Sequence, residues 1–416
     1  MQKPIYKLLL ILSLFASDFL QAYPYDGYLI TGIRRLLRLQ LVMNGELRGT
    51  KPPSGGQKSI GDMLLNLQNE RGDSLENLPP VSEDFQKKID ALFPNRDESY
   101  SVSVLEVTPG KPVRYAERQA DREFNPGSVG KLAIAAGLFT ELQRLFPDAP
   151  EKRIELMRNR MIIADQWAMP NHHEVPVYNV ETKAFAVRAV RIGDTFSLYE
   201  WTDHMLSASS NAAASTVWKE MLLMRQFGEN YPPSLEQEAE FFKNTRKDSL
   251  KIMALSVVND PLRTVGITEN EWQLGSFFTA TGQNRVPGAR SYATPRALMK
   301  YLVAMERGKL VDSWSSLEIK RMLYLTARRI RYAASPRLES AKVYFKSGSL
   351  YKCKKEEGFE CGKYRGNVDN YMNSVAIVEH EDGRIYYVAL MSNVLKKNSA
   401  VEHQSIATFI DKILSE

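Results

Sequence analysis

The clearest signals along the chain are alternations and stripes of apolar residues. From Tyr100 to Val107 (YSVSVLEV) apolar and polar positions alternate, Pro109-Gly110 breaks the run, and Val113 to Ala116 resumes it. Period-two alternation puts one side of each segment in a core, so the pattern predicts a β-hairpin. Just upstream, Phe85, Ile89, Leu92 and Phe93 recur at helical spacing between Ser82 and Pro94 and predict a short amphipathic helix. The run from Lys131 to Leu145 carries no breaker and predicts a well-buried helix, and residues 150 to 330 are mainly helical patterns broken by loops. Strand patterns return at Lys342 to Tyr351, Asn373 to His380 and Arg384 to Ser392, with Asp382-Gly383 as the turn between the last two. A further helical stretch runs from about Val401 to Leu414. Strands near both ends around a helical middle predict an α/β (α+β) domain, in which a sheet built from the two ends packs against a helical lobe. The cleft between the two is where a site is expected.

The first 80 residues are patterned differently. Lys3 and Lys7, the apolar run Leu8 to Ala16 and Leu20-Gln21-Ala22 read as an export signal of 22 residues, which implies a periplasmic or secreted protein. The run is shorter than the roughly 20 residues that cross a bilayer, and cleavage near Ala22 is expected, with an uncleaved anchor as the alternative. Within residues 23 to 80, Leu36, Leu37, Leu39 and Leu41 form no clean helical stripe. Arg34, Arg35 and Arg38 are open either to a membrane or cell-wall surface or to plain solvation. This stretch is expected to be an accessory segment packed on a main domain that begins after Pro79-Pro80, spans 81–416, and carries its helical lobe at about 150–330.

Composition narrows the chemistry. The chain has 416 residues, of which 44% are hydrophobic and 10% aromatic, enough for a sizeable core. Its 55 Lys+Arg against 49 Asp+Glu are spread without a long like-charge run, which argues against a dedicated nucleic-acid binder. Two Cys cannot make a Cys-rich zinc site, and the five His include no HExxH pair, so neither a metal nor another cofactor is called for. No GxSxG elbow points to a Ser-His-Asp triad either. In an oxidising compartment, Cys353 and Cys361, with seven residues between them, read as a local disulfide, free thiols being the alternative.

Three short motifs could meet in the cleft. Ser128-Val129-Gly130-Lys131 follows the breakers Pro126 and Gly127, so Ser128 falls near a helix N-terminus with Lys131 one turn later on the same face. A lysine whose pKa is lowered by burial and a neighbouring cation can take the serine proton without a histidine, and free N–H groups at the helix start suit an oxyanion. A phosphate-binding loop is set aside, because Asn125 stands where its first Gly belongs and Leu132 replaces its Ser/Thr. Ser209-Ser210-Asn211 precedes a small-residue helix and offers a hydroxyl and an amide, or an ordinary N-cap. Lys346-Ser347-Gly348-Ser349 lies in a strand, where Gly348 lets a ligand approach the backbone, or where Lys346 merely guards an edge.

In the order S-x-x-K, S-x-N, K-S-G, on helix, loop and strand, these motifs resemble those of the serine β-lactamase and penicillin-binding protein superfamily, most closely its class A-like branch. The resemblance covers roughly Val81 to Glu416, including Ala293 to Leu298 ahead of a helix. It implies a five-stranded, mainly antiparallel sheet with an all-helical lobe, and a serine hydrolase working through an acyl-enzyme on β-lactams. The alternatives are D-Ala-D-Ala peptides of the cell wall, or a non-catalytic wall-binding protein of the same fold. It further implies Ser128 as nucleophile, Lys131 as its base, Ser209 as proton relay and Asn211 as partner of the substrate amide. Lys346 and Ser347 would hold a substrate carboxylate, and the N–H groups of Ser128 and Ser349 would form the oxyanion hole. Two positions depart from the family pattern. Ser210 stands where class A enzymes usually have Asp, and the deacylating E-x-x-L-N is matched only by Glu271-Trp272-Gln273-Leu274-Gly275. Glu271 is therefore the candidate that activates the hydrolytic water, or a solvated helix residue. Arg328, Arg329 and Arg331, just before the third motif, are expected on the surface, with a carboxylate-binding role as the alternative.

Overall fold

Five strands form one antiparallel sheet in the computed structural model, which describes residues 22–325 and 329–416. Strands β1 (Ser101–Glu106), β2 (Arg114–Arg118), β3 (Lys342–Lys352), β4 (Asp369–Glu379) and β5 (Ile385–Asn393) lie in the order β2-β1-β5-β4-β3. The two ends of the chain therefore meet in the middle of the sheet, where Ser101 faces Met391 and Glu106 faces Tyr386. Period-two alternation assigns the faces. Leu105, Tyr387, Ala389 and Met391 enter the large core shared with the helical lobe. Val102, Val104, Tyr386, Val388 and Leu390 enter a second core, shared with Phe85 and Ile89 of the Glu83–Asp90 helix and Ile406 and Ile410 of the Ala400–Ser415 helix. The resulting sheet with helices is the α+β architecture expected, with β2 and β3 as its two edges.

Within the lobe, the Lys131–Leu145 helix is buried over most of its length and packs against the Asn211–Phe227 and Lys247–Arg263 helices. The middle of the chain also holds strands that helical patterning does not predict. Met161–Ile163 pairs with Thr195–Ser197, Glu174–Tyr178 with Phe185–Ala189, and Trp272–Gln273 with Tyr292–Ala293. Strands of two to five residues are too short to show an alternation against a helical background.

The N-terminal stretch is more ordered than its leucines suggest. Arg34–Met43 is a helix that buries Arg35, Leu36, Leu39 and Val42. A regular stripe is thus present, with an arginine as one of its members. Arg35 is matched by Asp203, to whose Oδ2 its Nε donates at 2.6 Å, and Arg34 forks onto Glu200 with two 2.8 Å contacts. Arg38 stacks on Phe185, 4.1 Å from the ring centre. All three arginines are engaged within the fold. Tyr23, Ile33, Met63 and Leu67 join the main core, and Asn66 hydrogen-bonds Glu306 and Glu379 beside the fully buried Lys320. Among the described residues no helix is long and apolar enough to cross a membrane, and residues 1–21 of the export signal and Arg328 lie outside them. Cys353 and Cys361 are joined in the loop between β3 and β4, their Cα atoms 6.2 Å apart.

Candidate active site

Two glycines let a turn and the edge strand touch. After Phe124, bridged to Ala293, the chain passes through Asn125 and Pro126 into a 3₁₀ turn at Gly127–Gly130 that runs directly into the Lys131–Leu145 helix. Gly127 has φ +51°, and a Cβ there would stand 2.7 Å from the amide nitrogen of Ser349. From the other side, a Cβ on Gly348 would stand 2.2 Å from the carbonyl oxygen of Pro126. Only residues without a side chain allow this approach. Asn373, opposite Gly348 on β4, fixes the arrangement by donating to Asn125 O at 2.9 Å. Ser128 is thereby held at the helix start against β3, with Lys131 one turn further on.

The second motif arrives from the turn after the Leu198–Leu206 helix. Ser210 caps the Asn211–Phe227 helix, accepting from Ala213 N at 3.2 Å, which is the ordinary N-cap role. Ser209, just before it, has φ +58°, a conformation that costs a non-glycine residue of order 1 kcal/mol. This conformation turns both Ser209 oxygens toward the lysines. Lys131 Nζ lies 2.9 Å from Ser128 Oγ, 2.6 Å from Ser209 O and 2.8 Å from Asn211 Oδ1. Lys346 Nζ, from β3, lies 2.9 Å from Ser209 Oγ and 3.0 Å from Ser347 O. Although β3 is an edge strand, Lys346 is 1% exposed, so it does not serve as an edge guard. The structure brings Ser128, Lys131, Ser209, Asn211, Lys346, Ser347, Gly348 and Ser349 together around one cleft of about 590 Å³.

The electrostatics follow from burial without acids. Both lysines are out of water, and neither has a carboxylate partner among the described residues. Desolvation, reinforced by the charge of Lys346, holds Lys131 well below the usual lysine range. Desolvation, reinforced by Arg331, brings Lys346 down to about 7. As a neutral amine Lys131 has two hydrogens and one lone pair. The carbonyl oxygens of Ser209 and Asn211 can only accept, so they take the hydrogens and leave the lone pair facing the Ser128 hydroxyl.

Glu271 is the predicted residue that is not brought to the cleft. Its Oε2 accepts from Thr268 N at 2.8 Å and from Thr268 Oγ1 at 2.9 Å, and its Oε1 pairs with Lys300 at 2.6 Å. The spacing to Leu274 is kept, and Leu274 lines the cleft, but the intervening short strand Trp272–Gln273 turns Glu271 away from it. Phe278 instead covers Lys131, its ring centre 4.7 Å from Nζ.

Arg331 corrects the expectation of a surface role. It is 8% exposed, has φ +52°, lines the cleft and donates to Gly348 O at 2.6 Å. Arg329 lies outside the cleft, donating to Ala341 O at 2.8 Å. Sequence reasoning also passed over His172, His173, Glu174, Lys363 and Tyr364, all in the cleft wall. The pair of histidines between two breakers was a visible signal, whereas nothing in the local sequence marks Lys363.

The fold and the three-motif cleft define the class of the serine β-lactamases and penicillin-binding proteins. The chain belongs to the Beta-lactamase2 family, the beta-lactamase enzyme family, whose model matches residues 84–413. Among solved structures it is similar to the TLA-3 extended-spectrum beta-lactamase, at 12% identity and TM-score 0.53 over 80% of this chain and 98% of that one. It is also similar to PBP-A, at 12% identity and TM-score 0.51 over 82% and 99%. A mutant of PBP-A solved as an acyl-enzyme complex with penicillin G gives 11% identity and TM-score 0.51 over 81% and 99%. At these identities the likeness is one of fold. No curated protein matches the chain in sequence.

Proposed function

We propose that the protein is an exported serine hydrolase that opens β-lactam amides through an acyl-enzyme on Ser128. The observation that carries this reading is the buried Lys131 amine, 2.9 Å from Ser128 Oγ with its other two neighbours both carbonyl acceptors. Lys131 takes the Ser128 proton as Oγ bonds to the lactam carbonyl, whose oxygen gathers charge toward the N–H groups of Ser128 and Ser349. Ser209, held by Lys346, passes a proton to the lactam nitrogen as the C–N bond breaks, and is reprotonated through the lysines. Lys346 and Ser347 hold the substrate carboxylate. Asn211, whose Oδ1 faces Lys131, keeps its Nδ2 for the substrate's acyl carbonyl.

One observation favours a second reading, a D,D-carboxypeptidase or endopeptidase acting on D-Ala-D-Ala. Glu271 is tied to Thr268 and Lys300, and among the described residues Glu174, exposed at the rim, is the only carboxylate lining the cleft. Without a carboxylate beside Ser128 to activate water, a β-lactam stays on the serine. Intact mass of wild type and Ser128→Ala, followed over time with a panel of penicillins, tests both readings. An adduct on the wild type alone is expected. Its loss with turnover supports the β-lactamase and its persistence the peptidase, while no adduct with any member refutes the acyl-enzyme.

A further inference from the structure

The loop that follows β3 is built more firmly than a connection between two antiparallel strands requires. Residues 353–368 are closed by the Cys353–Cys361 bond and by two small bridges, Glu356 with Phe359 and Gly362 with Arg365. Asn367 clamps the base of the loop, accepting from Lys354 N at 2.9 Å and donating to Lys354 O at 3.0 Å and Glu356 Oε2 at 2.8 Å. At its tip, Arg365 N donates to Gly362 O at 2.9 Å, closing a tight turn with Lys363 and Tyr364 at its centre. Tyr364 sits at φ +63°, an uncommon conformation for a bulky residue. The Arg331 guanidinium lies 5.2 Å from the centre of the Tyr364 ring. Strain held in place by such a frame is found at ligand clamps. Its effect here is to put Lys363 in the cleft wall, with no carboxylate partner among the described residues.

The order of residues along β3 says what Lys363 meets. Lys346 and Ser347 come first, then Ser349 beside Ser128, then Leu350, which also lines the cleft, and then the loop. A substrate whose carboxylate lies at Lys346 and whose reacting carbonyl lies at Ser128 extends its acyl portion along Leu350 toward Lys363. We propose that Lys363, presented by the disulfide-closed loop, forms a second anion subsite, so that preferred substrates are amides whose acyl portion carries a carboxylate. The proposal rests on the acyl-enzyme reading for the direction in which the substrate lies. A charge pair at an exposed lysine such as Lys363 contributes up to about 1 kcal/mol, or about fivefold in affinity.

Benzylpenicillin and its α-carboxylated analogue carbenicillin differ by one carboxylate on the acyl portion. Their equilibrium affinities measured by calorimetry on Ser128→Ala decide the subsite without any acylation, while adduct formation on the wild type decides the acyl-enzyme reading separately. Carbenicillin is expected to bind about fivefold tighter, and adding Lys363→Ala is expected to abolish that preference while leaving benzylpenicillin unchanged. Raising salt from 50 to 500 mM is expected to erode the preference only where Lys363 is present. Replacing both Cys353 and Cys361 by Ser is expected to lower the same ratio. A ratio near one with Lys363 present, an unchanged ratio after Lys363→Ala, or an equal loss for both penicillins overturns the subsite.

Discussion

Replacing Gly348 by alanine tests whether the contact between strand and turn is what sets the geometry of Ser128. The new Cβ would stand 2.2 Å from Pro126 O, 2.8 Å from Val129 N and 3.1 Å from Ser128 N. A carbon and a carbonyl oxygen in ordinary close contact lie roughly 3.3 Å apart, so the two segments must part by about 1 Å. The strand yields little, because β3 is paired with β4 along its length. Most of the movement therefore falls on the turn that carries Ser128, taking its Oγ from 2.9 Å to beyond hydrogen-bond range of Lys131. A misplacement of about 1 Å costs about 100-fold in rate, equivalent to about 2.7 kcal/mol of barrier. Overpacking itself costs about 1–3 kcal/mol of stability, which a domain with this core should survive. The assay is the second-order rate of benzylpenicillin acylation by quenched intact mass, with thermal unfolding in parallel. A folded variant that acylates Ser128 within threefold of wild type would refute the reasoning.

Glu271→Gln is expected to leave the lifetime of any penicillin adduct unchanged within twofold while lowering stability by about 1 kcal/mol in urea unfolding, since it weakens a turn cap and a partly exposed ion pair. A tenfold longer adduct would return Glu271 to the mechanism. The pH profile of the acylation rate should fall as pH rises through about 7, because above that value the free Lys346 is a neutral amine and no longer attracts a carboxylate. Arg331→Ala removes the positive neighbour that helps depress Lys346, so it should move this limb to higher pH, and an unmoved limb in stopped-flow data would mean another group titrates. Arg35→Ala leaves the Asp203 carboxylate buried without its guanidinium and should cost about 3–5 kcal/mol in urea unfolding; a loss below 1 kcal/mol would make the N-terminal helix dispensable.

What was legible in the sequence is what local pattern controls. The strands at Tyr100 to Val107 and Lys342 to Tyr351 show because alternation is a property of the segment itself, and Ser128 with Lys131 shows because three residues apart on a helix is one face. The Arg34–Met43 helix was missed because its buried stripe includes an arginine, and burial of Arg35 depends on Asp203, which lies far along the chain. Glu271 misled for a related reason. Its spacing to Leu274 fits the family motif, yet its direction is set by Thr268, Lys300 and a two-residue strand paired with Tyr292–Ala293. Arg331 and Lys363 enter the cleft through left-handed backbone at Arg331 and Tyr364, and no side-chain pattern encodes that.

Two of the buried lysines among the described residues, Lys131 and Lys320, show why the site takes the form it does. Lys320 is as deeply buried as Lys131, but burial that would strip its proton is outweighed by Glu306 and Glu379 at 2.7 and 2.6 Å, and its pKa is raised. Lys131 meets carbonyl oxygens and a second lysine instead, and its pKa is lowered. The same side chain at the same depth becomes a structural cation or a base according to whether an acid stands beside it. That rule also bears on the missing carboxylate. An acid close enough to activate a water at Ser128 would stand close enough to Lys131 to hold the proton on its amine, favouring deacylation at the expense of the first proton transfer. On the proposed acyl-enzyme reading, Phe278 rather than an acid over Lys131 favours the first proton transfer, and slow release of the adduct is the outcome expected in the time course.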